Sequence, residues 1–125
     1  MSLNEQIETL CNGTGIARAR AATQLGQMGD KQAEAPLLEA LDDKNATVRS
    51  NVAFALGELQ AKVAVPKLIR LLKDEDQWVR KSAAKALGIL RAKEAVAALQ
   101  SLSSDPSDQV QRNAVRSLKQ IEEGG

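Results

Sequence analysis

A unit of 31 residues repeats along this chain without a gap, and that period constrains the fold more than any other feature. Val48-Arg49 returns as Val79-Arg80, and Val110-Gln111 follows one period later. Leu25-Gly26, Leu56-Gly57 and Leu87-Gly88 share a register, as do Asp43, Asp74 and Asp105. Between residues 45–75 and 76–106, 14 of 31 aligned positions are identical, well above what a common richness in Ala and Leu produces. A fixed period of this length marks stacked supersecondary units, each too small to bury its own apolar face.

Each unit carries two helical patterns. In the longer one, Val48, Val52, Ala55, Leu56 and Leu59 form one stripe of a 3.6-residue period, and Val79, Ala83, Ala86, Leu87 and Leu90 copy it. The shorter pattern runs through Val65, Leu68, Ile69, Leu71 and Leu72. Pro66 suits its first turn, where a backbone N–H would have no helical partner; Pro36 stands one residue out of that register. Asp105-Pro106 reads as an N-cap followed by Pro at the first helical position. No stretch alternates apolar and polar residues as a half-buried strand would. The patterns predict eight helices in four pairs, near 3–11/15–28, 32–41/46–60, 63–73/77–91 and 94–103/107–122. The expected fold is an all-α superhelix of four two-helix repeats in one domain over 1–125, with units near 1–28, 32–60, 63–91 and 94–122.

Gly26, Gly57 and Gly88 fall inside the longer helices, where Gly costs about 1 kcal/mol relative to Ala. A cost repeated at one register position predicts that another helix passes close there. In the last unit the position is Lys119. Several apolar positions turn polar in the outer units. Ala55 and Ala86 become Gln24 and Ser117, Leu37 and Leu68 become Gln6, and Ile69 and Leu72 become Gln100 and Ser103. These replacements predict polar outer faces, those of a complete four-unit module or, alternatively, of a capped fragment.

Composition then removes chemistry. The chain has no His and one Cys, which excludes a His-based triad, a His metal site, an intrachain disulfide and a multi-cysteine zinc site. We expect no cofactor, no metal and no enzymatic activity. A net charge of +1 and an aromatic content of 2% offer neither a global pull on nucleic acid nor a stacking platform for bases. The first residues carry no basic and apolar leader pattern, and no apolar run approaches a bilayer span; a cytoplasmic location without membrane contact is expected. Cys11 has no neighbouring base in sequence, and Gly13-Thr14-Gly15 lacks the Lys-Ser/Thr continuation of a phosphate loop, so it reads as a turn.

The run Asp74, Val79-Arg80, Ala83-Ala84 and Ala86-Leu87-Gly88, followed by Ala95-Val96, resembles the HEAT-like repeats of the phycobilisome-lyase (E-Z type) family. Asp43, Val48-Arg49, Ala53, Ala55-Leu56-Gly57 and Ala64-Val65-Pro66 repeat the motif. The resemblance covers nearly the whole chain and implies a right-handed solenoid of the HEAT-like or armadillo type, with second helices lining the concave surface. It also implies a ladder between units made by an Asp and an Arg six residues apart. Asp43/Arg49 and Asp74/Arg80 match that spacing, Arg18 follows a polar Asn12, and Asp105 is followed by the uncharged Gln111. For activity the resemblance is nearly silent, because the family includes scaffolds, adaptors, lyase subunits and engineered binders.

If the second helices line the concavity, the positions off their apolar stripe form aligned columns. These read Ile16, Thr47, Trp78, Gln109; Ala19, Ser50, Lys81, Arg112; Arg20, Asn51, Ser82, Asn113; Thr23, Phe54, Lys85, Arg116; and Gln27, Glu58, Ile89, Gln120. They vary between units while the core columns hardly change. Arg20, Phe54, Glu58, Trp78, Lys81, Lys85, Ile89, Arg112 and Arg116 are therefore the candidate binding residues. Either Phe54 and Trp78 are interface anchors in a groove with a cationic C-terminal half, or they tuck against neighbouring helices and the cations are solvated. The leading expectation is a protein-interaction scaffold with an acidic partner. Bilin attachment or phycobilisome turnover, with a bilin or phycobiliprotein partner, is implied by the resemblance alone, and nucleic acid on the basic groove is the third alternative.

Overall fold

Eight α-helices form in a computed structural model that describes residues 1–124. They are α1 (Leu3–Asn12), α2 (Gly15–Met28), α3 (Glu34–Ala40), α4 (Ala46–Glu58), α5 (Val65–Leu71), α6 (Gln77–Ile89), α7 (Val96–Gln100) and α8 (Asp108–Gly124). Each second helix opens on a side chain that accepts backbone N–H groups left free by the first turn. Thr14 does this for α2, Asn45 for α4, Asp76 for α6 and Ser107 for α8. The last cap differs from the expectation. Pro106 precedes the helix, and Asp105 is buried and faces Arg80 instead. The first helices after α1 are shorter than the pattern suggested. Single 3₁₀ turns, Lys31–Ala33, Lys62–Ala64 and Lys93–Ala95, lead into α3, α5 and α7, and α7 relaxes into a further 3₁₀ segment, Ser101–Ser104.

The pairs α1–α2, α3–α4, α5–α6 and α7–α8 stack as four layers in an α-α solenoid, with α2, α4, α6 and α8 packed in succession. One apolar core runs through all four. Leu25, Leu56 and Leu87 on the second helices are fully buried, as are Leu37, Leu68 and Leu99 on the first. The three in-helix glycines lie at the seams. A Cβ at Gly26 would fall 2.9 Å from Cα and Cβ of Ala55, and one at Gly57 3.0 Å from those of Ala86. At Gly88 it would fall 2.7 Å from Cβ of Ser117. Lys119, in the same register, has no following helix among the described residues and is exposed.

Two of the polar replacements are not on open faces. Ser117 is 1% exposed, lies against Gly88, and its hydroxyl donates to the Ala84 carbonyl at 2.6 Å. Its column faces the preceding unit, so the column is open only in the first unit, where Gln24 is exposed. Gln6 is buried, its amide against the Met1 sulfur at 3.4 Å, because that column is interior in every unit. Gln100 and Ser103 are exposed, as their polarity suggested.

After α2, α4 and α6 the chain turns through one left-handed residue: Gly29 (φ 70°), Gln60 (φ 57°) and Arg91 (φ 52°). At Gln60 the N–H bonds the Gly57 carbonyl and the next N–H, of Ala61, bonds Leu56, the double bond of a Schellman ending. A side chain in this conformation costs about 1–2 kcal/mol, which Gly29 avoids. Gln60→Gly is therefore expected to stabilise the fold by about 0.5–1 kcal/mol after the added freedom of the unfolded chain is counted. Urea midpoints check this; a midpoint at or below that of the parent would contradict it.

Candidate functional site

The glycine–alanine seams draw the second helices together, and no such seam joins the first helices. That makes the second-helix layer the tight side of the stack. Off the buried stripe, its side chains form an open face. Ile16 is 71% exposed and Trp78 49%, while Phe54 is half-buried. Thr23, Ser50, Asn51, Phe54, Trp78, Lys81, Ser82 and Lys85 line a depression of about 260 Å³ between α2, α4 and α6. The two aromatic rings stand in it with a cation over each. The Lys81 ammonium is 5.2 Å from the Trp78 ring centre, and that of Lys85 is 5.1 Å from the Phe54 ring centre. Such pairs hold about 0.5–1 kcal/mol each at exposed sites.

The floor of this face is tied down by bonds that composition did not reveal. Asn51 donates its amide to the Ala19 carbonyl at 3.0 Å, linking α4 to α2. The Ser50 and Ser82 hydroxyls bond each other at 2.7 Å, linking α4 to α6. Lys81 donates to Oε1 of Gln109 at 2.9 Å, linking α6 to α8. Ala19, placed in a surface column by register, is buried beneath Asn51. Arg20, Glu58, Lys85, Arg112 and Arg116 are exposed and Ile89 half-buried. Arg112 and Arg116 adjoin the exposed Val115 in a second hollow on α8. Arg20 lines a third with Ile16 and Thr47.

Along one edge of the same layer runs a set of ion pairs. Arg18 Nε and Nη2 donate to the two carboxylate oxygens of Asp43, both at 2.9 Å. Arg49 does the same to Asp74 at 2.9 and 3.0 Å, and Arg80 to Asp105 at 2.8 and 3.2 Å. Each Arg also holds a carbonyl of its own unit: Gly13, Asp43 and Asp74 respectively. Gln111 keeps that last function, donating to the Asp105 carbonyl at 2.6 Å. No further unit follows to offer it a carboxylate among the described residues. Each Asp also accepts an N–H two residues on, from Asn45, Asp76 and Ser107.

These contacts hold all three carboxyls below their ordinary range. For Asp43 the Arg18 hydrogen bond dominates. At Asp74 and Asp105 burial pushes upward, and the arginine bonds, backbone N–H groups and nearby guanidinium charge together outweigh it. Cys11 is exposed at the end of α1, away from this layer. Among the described residues no three His, Cys, Asp or Glu side chains converge as a metal site would need.

A family model described as HEAT repeats matches residues 12–72 and 35–119. The chain belongs to the HEAT-repeat family. Three solved structures share this HEAT-repeat architecture. Human deoxyhypusine hydroxylase in complex with glycerol matches with a TM-score of 0.79 and 31% identity, over 98% of this chain and 44% of the hydroxylase. A chain from the complex of CpcE and CpcF of phycocyanin lyase, from Nostoc sp., matches with a TM-score of 0.81 and 24% identity, over 98% of this chain and 66% of that one. An engineered protein matches with a TM-score of 0.73 and 23% identity, over 96% and 62%. The chain thus spans under two thirds of each of these relatives' lengths. No curated protein matches it. No helix among the described residues is long and apolar enough to cross a membrane.

The ladder makes stability depend on acid. A carboxyl whose pKa is depressed by folding contributes stability above its unfolded value and loses it as pH falls through the folded one. Denaturant midpoints are expected to be flat from pH 7 to about 5 and to fall progressively below about pH 4. Asp74→Asn is expected to cost about 3 kcal/mol at pH 7 by stranding Arg49, and to flatten the acid limb. An acid limb of unchanged slope in that variant would contradict the assignment.

Proposed function

We propose that this HEAT-repeat chain is a non-enzymatic interaction module that receives a protein partner on its second-helix face. One observation carries the reading: the single Phe and single Trp of the chain meet in one depression on that face, each with a lysine over its ring. Trp and Arg are among the side chains that most often dominate binding energy at protein interfaces, and Trp78, Arg112 and Arg116 lie on this face. Stacked repeats offer an extended surface suited to such a partner. The absence of histidine, and the engagement of Asp43, Asp74 and Asp105 with arginine, support a binding role over an acid–base one.

The fold occurs in a complex between CpcE and CpcF, where a solenoid of this kind has a protein for a neighbour. At 24% identity, that likeness supports the general role and no particular chromophore. Immobilised parent, Trp78→Ala, Lys85→Glu and a Lys62→Glu control test the reading on lysate from the source cells. Lys62 is exposed on a first-helix turn, away from the depression. Specific partner recovery is expected on the parent and the control, and to drop about tenfold or more on the other two. Equal recovery on all four, with circular dichroism showing intact folds, would remove the proposed face.

A further inference from the structure

The cations of the second-helix face form a two-by-two array. Lys81 and Lys85 are one turn apart on α6, and Arg112 and Arg116 occupy the same two columns on α8. Like charges at this spacing repel and mildly destabilise a helix, so the array has no local structural benefit. Nor is it neutralised within the chain. The ion pairs among the described residues join Arg18, Lys31, Arg49, Lys67 and Arg80 to acids, and none involves these four. The acids of the same layer form no ion pair with it among the described residues. Glu58 turns its Oε1 toward Gly26 on α2, and Asp108, one turn before Arg112 on α8, is unpaired with it. The bond from Lys81 to Gln109 draws its ammonium toward α8, closing the array on that side.

Beside the array lies the apolar part of the depression, around Phe54 and Trp78. Phe54 stands on α4 and Trp78 in the first turn of α6, so the order across the face is apolar between α4 and the start of α6, then cationic on α6, then cationic on α8. Packed helices are spaced about 8–10 Å apart, and a chain in the polyproline II conformation rises about 3.1 Å per residue with three residues per turn. One helix spacing thus corresponds to about three residues of such an extended ligand, and side chains three apart face the same way. Each ring carries an ammonium group over one face, which a base stacking there would have to displace, whereas an aliphatic side chain packs against a ring edge without displacing it. Carboxylates, by contrast, add to these lysines without displacing them.

We propose that the second-helix face takes an extended acidic segment of its protein partner, laid across α4, α6 and α8. An apolar side chain rests against Phe54 and Trp78. A carboxylate three residues on meets Lys81 and Lys85, and a second, three further, meets Arg112 and Arg116. This rests on the protein-binding reading above and adds the chemistry and spacing of the ligand.

The probe is a fluorescein-labelled peptide, Gly-Ser-Leu-Ser-Ser-Glu-Ser-Ser-Glu-Gly, titrated with the full chain at low salt and followed by anisotropy and Trp78 emission. It is compared with the same peptide carrying Gln for both Glu, with an isomer whose two Glu are adjacent, and with a labelled single-stranded decanucleotide. The spaced acidic peptide is expected to bind about tenfold tighter than the Gln peptide and more tightly than the isomer, and to weaken as salt is raised. Lys85→Glu/Arg116→Glu is expected to remove that preference while its helicity is unchanged.

Equal binding of the Gln peptide, or full binding by the double variant, overturns the acidic segment. Tighter binding of the decanucleotide assigns the array to nucleic acid instead. If none of the peptides binds while partner capture still depends on Trp78, the extended acidic segment fails and the binding face stands. Peptide silence together with Trp78-independent capture removes both.

Discussion

Each second helix approaches the next with glycine against a small residue, Ala55, Ala86 or Ser117, and the distance of that approach governs the remaining geometry. A Cβ on Gly26 or Gly57 would stand about as close to the facing Ala55 or Ala86 as atoms can be forced. The missing methyl groups let backbones meet, at a helix-propensity cost of about 1 kcal/mol per glycine that the buried leucines around each seam offset. A short unit gains a buried face only through its neighbour, so stability resides largely between units.

The seams hold one end of each second helix, and the ladder holds the other. Gly57 lies in the last turn of α4, whereas Arg49 lies in its first and reaches Asp74 of the next unit. Two fixed points set the crossing of α4 on α6, and Ser50 with Ser82 adds a third between them. A surface pinned at this density does not need to reorder when something lands on it, which lowers the entropic cost of association. Of the side chains proposed for binding, Phe54, Trp78, Lys85, Arg112 and Arg116 lie outside the network, while Lys81 is bonded into it through Gln109.

Much of this was legible from the period itself. The helix pairs, the buried stripes and the close approach at Gly26, Gly57 and Gly88 all follow from what recurs at one register position. Reading failed where neighbouring context replaced periodicity. Ser117 looked like a surface substitution because it is polar, yet its column faces backward and its hydroxyl finds the Ala84 carbonyl inside the seam. Asp105-Pro106 carries the composition of a helix start, but Arg80 of the preceding unit claims the carboxylate and Ser107 caps the helix. The left-handed turn was hidden because only Gly29 of the three equivalent positions is glycine. For the candidate site, register placed Phe54 and Trp78 on the same layer, but not the lysines over their rings. Side-chain direction across a seam depends on helix crossing, which a single sequence does not display.

Adjacent units are coupled through the glycine seams, and Gly57 tests that coupling at the middle of the stack. Urea unfolding of Gly57→Leu would be followed by Trp78 emission, which reports the third unit, and by far-ultraviolet circular dichroism, which reports all helices. In the parent, the two signals are expected to share one midpoint. With the seam wedged open the circular dichroism transition should broaden and separate from the Trp78 signal, as the two halves unfold independently. Coincident transitions at the parental midpoint would contradict the account.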